Sequence, residues 1–123
     1  VDAQNRLVVS FNIAAQTFNP STIPVGLNPL RIVISPNGQT AYVLNGIDPA
    51  TQPDGSVTVI NLASNSVVDT ILGIAPGPQD LALSPDGTRL YVLSDNPQTG
   101  DGIISVIDTA TNAVLTTFLE GIG

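Results

Sequence analysis

Apolar residues in this chain gather in short runs, each closed by a cluster of Gly, Pro, Asn, Asp or Ser. Runs of about four to eight residues, rich in Val, Ile, Leu, Tyr and Thr, predict β-strands rather than helices. The pattern places strands at residues 6–13, 17–23, 30–35, 40–45, 55–61, 67–72, 80–84, 89–93, 103–108 and 113–119. Two kinds of run occur. Arg31-Ile32-Val33-Ile34, Leu81-Ala82-Leu83 and Leu90-Tyr91-Val92-Leu93 are continuous, the pattern of strands covered on both faces. Val67-Val68-Asp69-Thr70-Ile71 alternates more, as suits an outer edge strand partly in water.

The runs repeat. Ser35-Pro36-Asn37-Gly38 returns 49 residues later as Ser84-Pro85-Asp86-Gly87, and Val59-Ile60-Asn61 returns 47 residues later as Val106-Ile107-Asp108. The small difference falls in the long loops at residues 46–54 and 94–102, where insertions are tolerated. Four strands per period of this length is the pattern of a β-propeller blade. A blade is sandwiched between two neighbours, which accounts for the continuous runs. A two-layer sandwich, the rival all-β reading, does not explain a fixed period with matched turns. The expected fold is therefore all-β: one β-propeller segment over residues 1–123, built of four-stranded antiparallel blades. Residues 6–23 form an outer half blade, and residues 30–72 and 79–119 form two full blades. The end of the chain, Leu119-Glu120-Gly121-Ile122-Gly123, resembles the linker Leu72-Gly73-Ile74-Ala75 that leads into a further blade. Two and a half blades cannot close a ring, so an open apolar sheet face is expected at each end. The chain also opens on Val1, without Met or a signal-peptide pattern, which reads as a processed or truncated start. The expectation is a piece of a ring of about four to eight blades, or a piece whose faces another chain covers.

The turns carry their own logic. In Ser84-Pro85-Asp86-Gly87, Pro presets the first central φ, Asp hydrogen-bonds the local backbone, and Gly takes the left-handed conformation that returns the chain. In Asp108-Thr109-Ala110-Thr111-Asn112 the Asp and Thr side chains satisfy turn N–H groups, and Asn tolerates positive φ.

These residues resemble the YVTN-type β-propeller repeat, which couples a Val-Ile-Asp-Thr-Ala-Thr-Asn turn to a Ser-Pro-Asp-Gly turn followed by Tyr-Val-Thr-Asn. The first motif is matched by residues 106–112 and the second by residues 84–92. Tyr42-Val43-Leu44-Asn45 keeps three of the four name-giving residues and Tyr91-Val92-Leu93-Ser94 keeps two. The resemblance covers nearly the whole chain. It implies a propeller, often in secreted, periplasmic or cell-surface proteins, and hence an extracytoplasmic location. It implies no activity, since propellers host many; some related propellers are lactone hydrolases or hold redox cofactors at the channel mouth.

Composition narrows the chemistry. The net charge is −7; the cations are Arg6, Arg31 and Arg89, with no Lys. Nucleic-acid binding needs cations to neutralise phosphates and is not expected, and an anionic membrane surface is disfavoured for the same reason. No apolar run is long enough to span a bilayer. Without Cys or His there is no disulfide, no thiolate chemistry, no His-based metal site and no Ser/His/Asp arrangement. No Gly-Lys phosphate loop occurs.

The long loops each hold two Asp six residues apart, Asp48 with Asp54 and Asp95 with Asp101. Their oxygens are candidate Ca²⁺ ligands, but the spacing is not that of an EF-hand, and the intervening Pro and Gly read as turn formers. Asp86 and Asp108 read as turn residues, and Asp80 as a solvated strand end. Asp69 stays open. Tyr42 and Tyr91 read as packed core with a hydrogen-bonded hydroxyl, and Arg31 and Arg89 as ion-pair partners of nearby Asp. No catalytic or cofactor-binding residue is assigned. The expected function is a non-catalytic scaffold for protein–protein interaction or assembly, its partners being other blades of the same or another chain, or other proteins. Two alternatives stand: a partial propeller of an enzyme whose site residues lie in other blades, and a cell-surface or fibre subunit.

Overall fold

A computed structural model of the chain describes residues 7–12, 17–25, 29–46, 54–95, 100 and 102–120. Ten strands follow one another: β1 Leu7–Asn12, β2 Thr17–Pro24, β3 Pro29–Ile34, β4 Thr40–Asn45, β5 Gly55–Asn61, β6 Ser66–Ile74, β7 Pro78–Leu83, β8 Arg89–Asp95, β9 Gly102–Asp108 and β10 Ala113–Glu120. Each predicted strand is present, its ends moved by no more than two residues. β1 and β2 form a two-stranded sheet; β3–β4–β5–β6 and β7–β8–β9–β10 form two four-stranded sheets, antiparallel throughout and in chain order. The sheets stack in register: β3 lies beside β7, β6 beside β10, and β2 beside β6.

The tight turns form as their residues dictate. In the β3–β4 turn Asn37 Oδ1 accepts from Ser35 Oγ at 2.6 Å and from the Gln39 amide at 3.0 Å. In the β7–β8 turn Asp86 Oδ1 accepts from Ser84 Oγ at 2.7 Å and from the Thr88 amide at 3.1 Å. Thr88 Oγ1 adds a third donor at 2.8 Å, which Gln39 has no hydroxyl to match. Gly38 and Gly87 both take positive φ, 72° and 75°. At the outer hairpins Asn65 and Asn112 sit at φ 52° and 56°. The Asn61 and Asp108 side chains accept from the Ala63 and Ala110 amides, each at 2.9 Å. These hydrogen bonds repeat because the residue types repeat.

The core lies between the two four-stranded sheets. Directly paired residues of neighbouring strands share a face. One face of the first sheet therefore carries Val33, Tyr42, Leu44, Val57, Val59 and Ile71. This face packs against Leu81, Leu90, Val92 and Ile107 of the second sheet. The opposite face of the first sheet holds Ala41, Val43 and Ile60, buried with Val25 and Leu62 packed on them. β4 and β5 are thus covered on both sides, which explains their apolar runs. β8, read from its sequence as equally covered, instead alternates buried and exposed residues, and β3 is largely exposed. In both strands the exposed residues lie on faces that no described sheet covers.

Where the sheets meet most closely, glycine is required by space. A Cβ on Gly55 would sit 2.6 Å from Pro78 Cγ and 3.2 Å from Ile74 Cγ2, at the point where β5 and β6 pass the start of β7.

Two predictions follow from these contacts. Gly55→Ala must push the sheets apart and is expected to lower unfolding stability by about 1–3 kcal/mol, read as a fall in the denaturant midpoint. The Asp86 carboxyl is held down at about 2, foremost by the Ser84 hydroxyl and then by the Thr88 amide and hydroxyl. A carboxyl lowered in the folded state contributes stability that is complete above its unfolded value near 3.8 and is lost as pH falls towards 2. Asp86→Asn reproduces the Asn37 turn, so it is expected to keep the fold at neutral pH. It should remove this part of the acid dependence, so that the stability curves of variant and parent converge between pH 4 and 2.

Candidate functional site

The two four-stranded sheets carry equivalent residues in unequal surroundings, and this inequality defines the candidate site. Tyr42, Leu44 and Ile71 lie 5%, 0% and 3% exposed between the sheets, whereas their counterparts Tyr91, Leu93 and Phe118 on the second sheet are 38%, 41% and 57% exposed. Register fixes the equivalence: Leu44 opposes Val57 and Val57 opposes Ile71, just as Leu93 opposes Ile104 and Ile104 opposes Phe118. Tyr91, read from the sequence as packed core like Tyr42, is therefore half open. Part of this face forms an apolar groove of about 240 Å³ between Asp80, Leu81, Ala82, Tyr91, Leu93 and Ile104.

The junction between the sheets shows what such a face meets when it is covered. The Tyr42 hydroxyl shares a hydrogen bond with the Thr109 side chain. Burial raises the phenol above its ordinary pKa, and that hydrogen bond opposes the rise. Thr109 Oγ1 also donates to the Gly87 carbonyl at 2.6 Å. Gly87 sits so close to Pro36 that an added Cβ would lie 3.0 Å from Pro36 Cδ. Around these groups the two tight turns enclose a polar crevice of about 280 Å³, which Asn37, Thr40 and Asp86 also line.

Other polar residues tie the sheets together at their rims. Arg31 and Asp80 occupy equivalent positions on the adjacent strands β3 and β7 and pair at 3.8 Å, both well exposed. Asp80 is thus more than a solvated strand end. Arg89 pairs with Asp108 at 3.7 Å within the second sheet. Asp69, left open by sequence, accepts from Asn112 Nδ2 across the outer edge at 3.2 Å. Exposed pairs of this kind are worth about 1 kcal/mol or less each, so they set alignment rather than stability. Sequence reasoning passed over Asn45 as a site of its own. It is fully buried and donates to Thr58 Oγ1 at 2.9 Å and Ser56 Oγ at 3.2 Å. The available signal was an amide at the end of an otherwise apolar run.

Of the candidate Ca²⁺ ligands, Asp48 and Asp101 lie outside the described residues, as does Arg6. Asp54 and Asp95 are exposed, and Asp95 accepts from Gln79 Nε2 at 3.4 Å. Among the described residues no three acidic side chains gather, and no helix is long and apolar enough to cross a membrane.

No protein-family model matches the chain. Over 93 residues, 69% of its length, it is 36% identical to the uncharacterized protein YwhL of Bacillus subtilis (strain 168), of which it covers 18%. Among solved structures it resembles hydrazine synthase of Kuenenia stuttgartiensis, with a TM-score of 0.85 and 27% identity over 96% of the chain. It also resembles apo AztD of Citrobacter koseri, with a TM-score of 0.69, 16% identity and 94% of the chain covered. A third likeness is to the β-propeller domain of the Trilobed protease of Pyrococcus furiosus, described as having an open velcro topology, with a TM-score of 0.68, 18% identity and 93% covered. The last two similarities are of fold alone. The chain spans 29–34% of the length of these three solved chains. With its two antiparallel four-stranded sheets stacked strand on equivalent strand, the chain is a partial β-propeller.

Proposed function

We propose that this chain is a non-catalytic propeller segment of the YVTN type, acting outside the cytoplasm as a rigid scaffold for protein–protein interaction and assembly. Its partners are further blades, from the same or another chain. The supporting observation is the matched set Tyr42, Leu44 and Ile71 against Tyr91, Leu93 and Phe118: the same positions are buried in one blade and exposed in the next. An apolar face built to the pattern of an existing interface is suited to receiving a second one. A polar ligand would find little to hold there, because Asp80 is the one charged group lining the groove.

The likeness to hydrazine synthase favours a second reading, in which the segment is a structural part of an enzyme whose reacting groups stand on other blades. The open face keeps its role in that reading. The two separate on activity: an enzyme part, supplied with its remaining blades, restores turnover, whereas a pure scaffold restores binding only.

Three outcomes are expected. Leu44→Ala should cost about 2–5 kcal/mol, while Leu93→Ala at the equivalent open position costs about 1 kcal/mol or less. The chain should bind an apolar-surface dye and self-associate, and Leu93→Asp with Phe118→Asp should reduce both while circular dichroism stays unchanged. A chain that is monomeric and dye-free would falsify the scaffold reading. Chelator should leave the melting temperature unchanged; a fall would instead assign Ca²⁺ to the Asp-bearing loops.

A further inference from the structure

The two-stranded sheet matches the outer half of each complete blade in three independent ways. Its hairpin closes through Phe11 opposite Phe18 and Asn12 opposite Thr17. The others close through Ile60 opposite Val67 with Asn61 opposite Ser66, and Ile107 opposite Val114 with Asp108 opposite Ala113. All three hairpins carry a register shift immediately before that closing pair. And β2 lies beside β6 as β6 lies beside β10. β1 thus corresponds to β5 and β9. Each of those strands is paired on both edges, whereas β1 is paired on one edge only among the described residues. An unpaired edge presents a row of backbone N–H and C=O groups, a template for strand addition.

A second observation points to the same place. On the first full blade, Ile32 and Ile34 pair with Val43 and Ala41 and so lie on the face turned towards β1–β2. Ala41 and Val43 are fully buried, yet Leu30, Ile32 and Ile34 on β3 are exposed, Ile34 at 57%. The counterpart of Ile32 on the next blade is Leu81, which is buried under the strand pair β3–β4. The exposed strip is therefore where an inner strand pair would lie if the β1–β2 sheet were a full blade.

We infer that the β1–β2 sheet is a docking site for an antiparallel strand pair of this same repeat, which adds along the free edge of β1 and covers Leu30, Ile32 and Ile34. The occupant has the chemistry of β7–β8: two strands of alternating apolar residues joined by a Ser-Pro-Asp-Gly turn. The face it would lay on Ile32 carries the counterparts of Ala82, Tyr91 and Leu93, as Val33, Tyr42 and Leu44 lie over the next blade. The inference rests on the scaffold reading and names the partner at one of its two open places.

The test supplies the occupant in cis. A copy of residues 78–101, the strand pair with its following loop, is placed ahead of Val1 of the full chain. Hydrogen exchange at the β1 amides is expected to slow about tenfold or more, and the melting temperature to rise by about 5 °C or more. A copy carrying Leu90→Pro and Val92→Pro cannot pair and should give neither change. Ile32→Asp with Ile34→Asp in the body of the chain should cancel both gains, measured against the same double variant without the copy; Leu93→Asp in the body should leave both. The inference is overturned if β1 exchange is unchanged in the extended chain, or if the gains survive in the Ile32/Ile34 variant. Such a failure, with the Leu93 and Phe118 results intact, removes this completion and leaves the scaffold standing.

Discussion

Everything in this structure depends on burying both faces of a β-sheet with other sheets. A four-stranded meander with one apolar face can rest on a single partner. Here the residues on both faces of β4 and β5 are apolar or hydrogen-bonded, and all are buried apart from Asn61 at the end of β5 and the half-buried Thr40 at the start of β4. Apolar burial contributes about 25 cal/mol per Å², so a sheet of this kind gains on both sides only when neighbours are stacked on both. The demand passes along the chain. The second blade covers one face of the first and in doing so presents the same kind of face to solvent.

Close stacking limits what can stand between the sheets. Gly55 gives way to Pro78 because no side chain fits. Polar groups are confined to the strand ends and turns, where they find partners: Asn45 with Ser56 and Thr58, Thr109 with the Gly87 carbonyl, Asp69 with Asn112. Several of these join one sheet to the next, and they fix the angle and register at which the apolar faces meet. Arg31 and Asp80 do the same on β3 and β7, the strands at the opposite edge from β6 and β10. They occupy one repeat position with opposite charges, so a position that varies in kind from blade to blade can be more cohesive than one held constant.

Much of this was legible in the residues. The strands, the turn glycines at positive φ, the carboxylate and amide caps at Asp86 and Asp108, and the pairing of both arginines with aspartates follow from local chemistry, which the sequence carries directly. What was not legible depends on which sheet faces which. Tyr42 and Tyr91 sit in the same local pattern, and only the presence of a covering sheet makes one of them core. The contact between Asp69 and Asn112 spans 43 residues, and nothing near either residue marks it. Periodicity gives the faces of a strand but not their occupancy.

That limit also explains why the candidate site is an interface rather than a reaction centre. Chemistry in a propeller needs groups that converge from several blades, and the polar residues of these blades are spent on their own turns and on each other. Asp86 takes three local donors, Asp108 caps a turn and pairs with Arg89, and Arg31 meets Asp80. The groups left without equivalents of their buried partners are apolar: Tyr91 by its ring, Leu93, Ile104 and Phe118. Comparing each residue with its own repeat separates these from ordinary surface apolar residues, because the protein itself supplies the buried reference state. On that comparison the exposed face of the second blade is the unused half of an interface whose other half is already built into the chain.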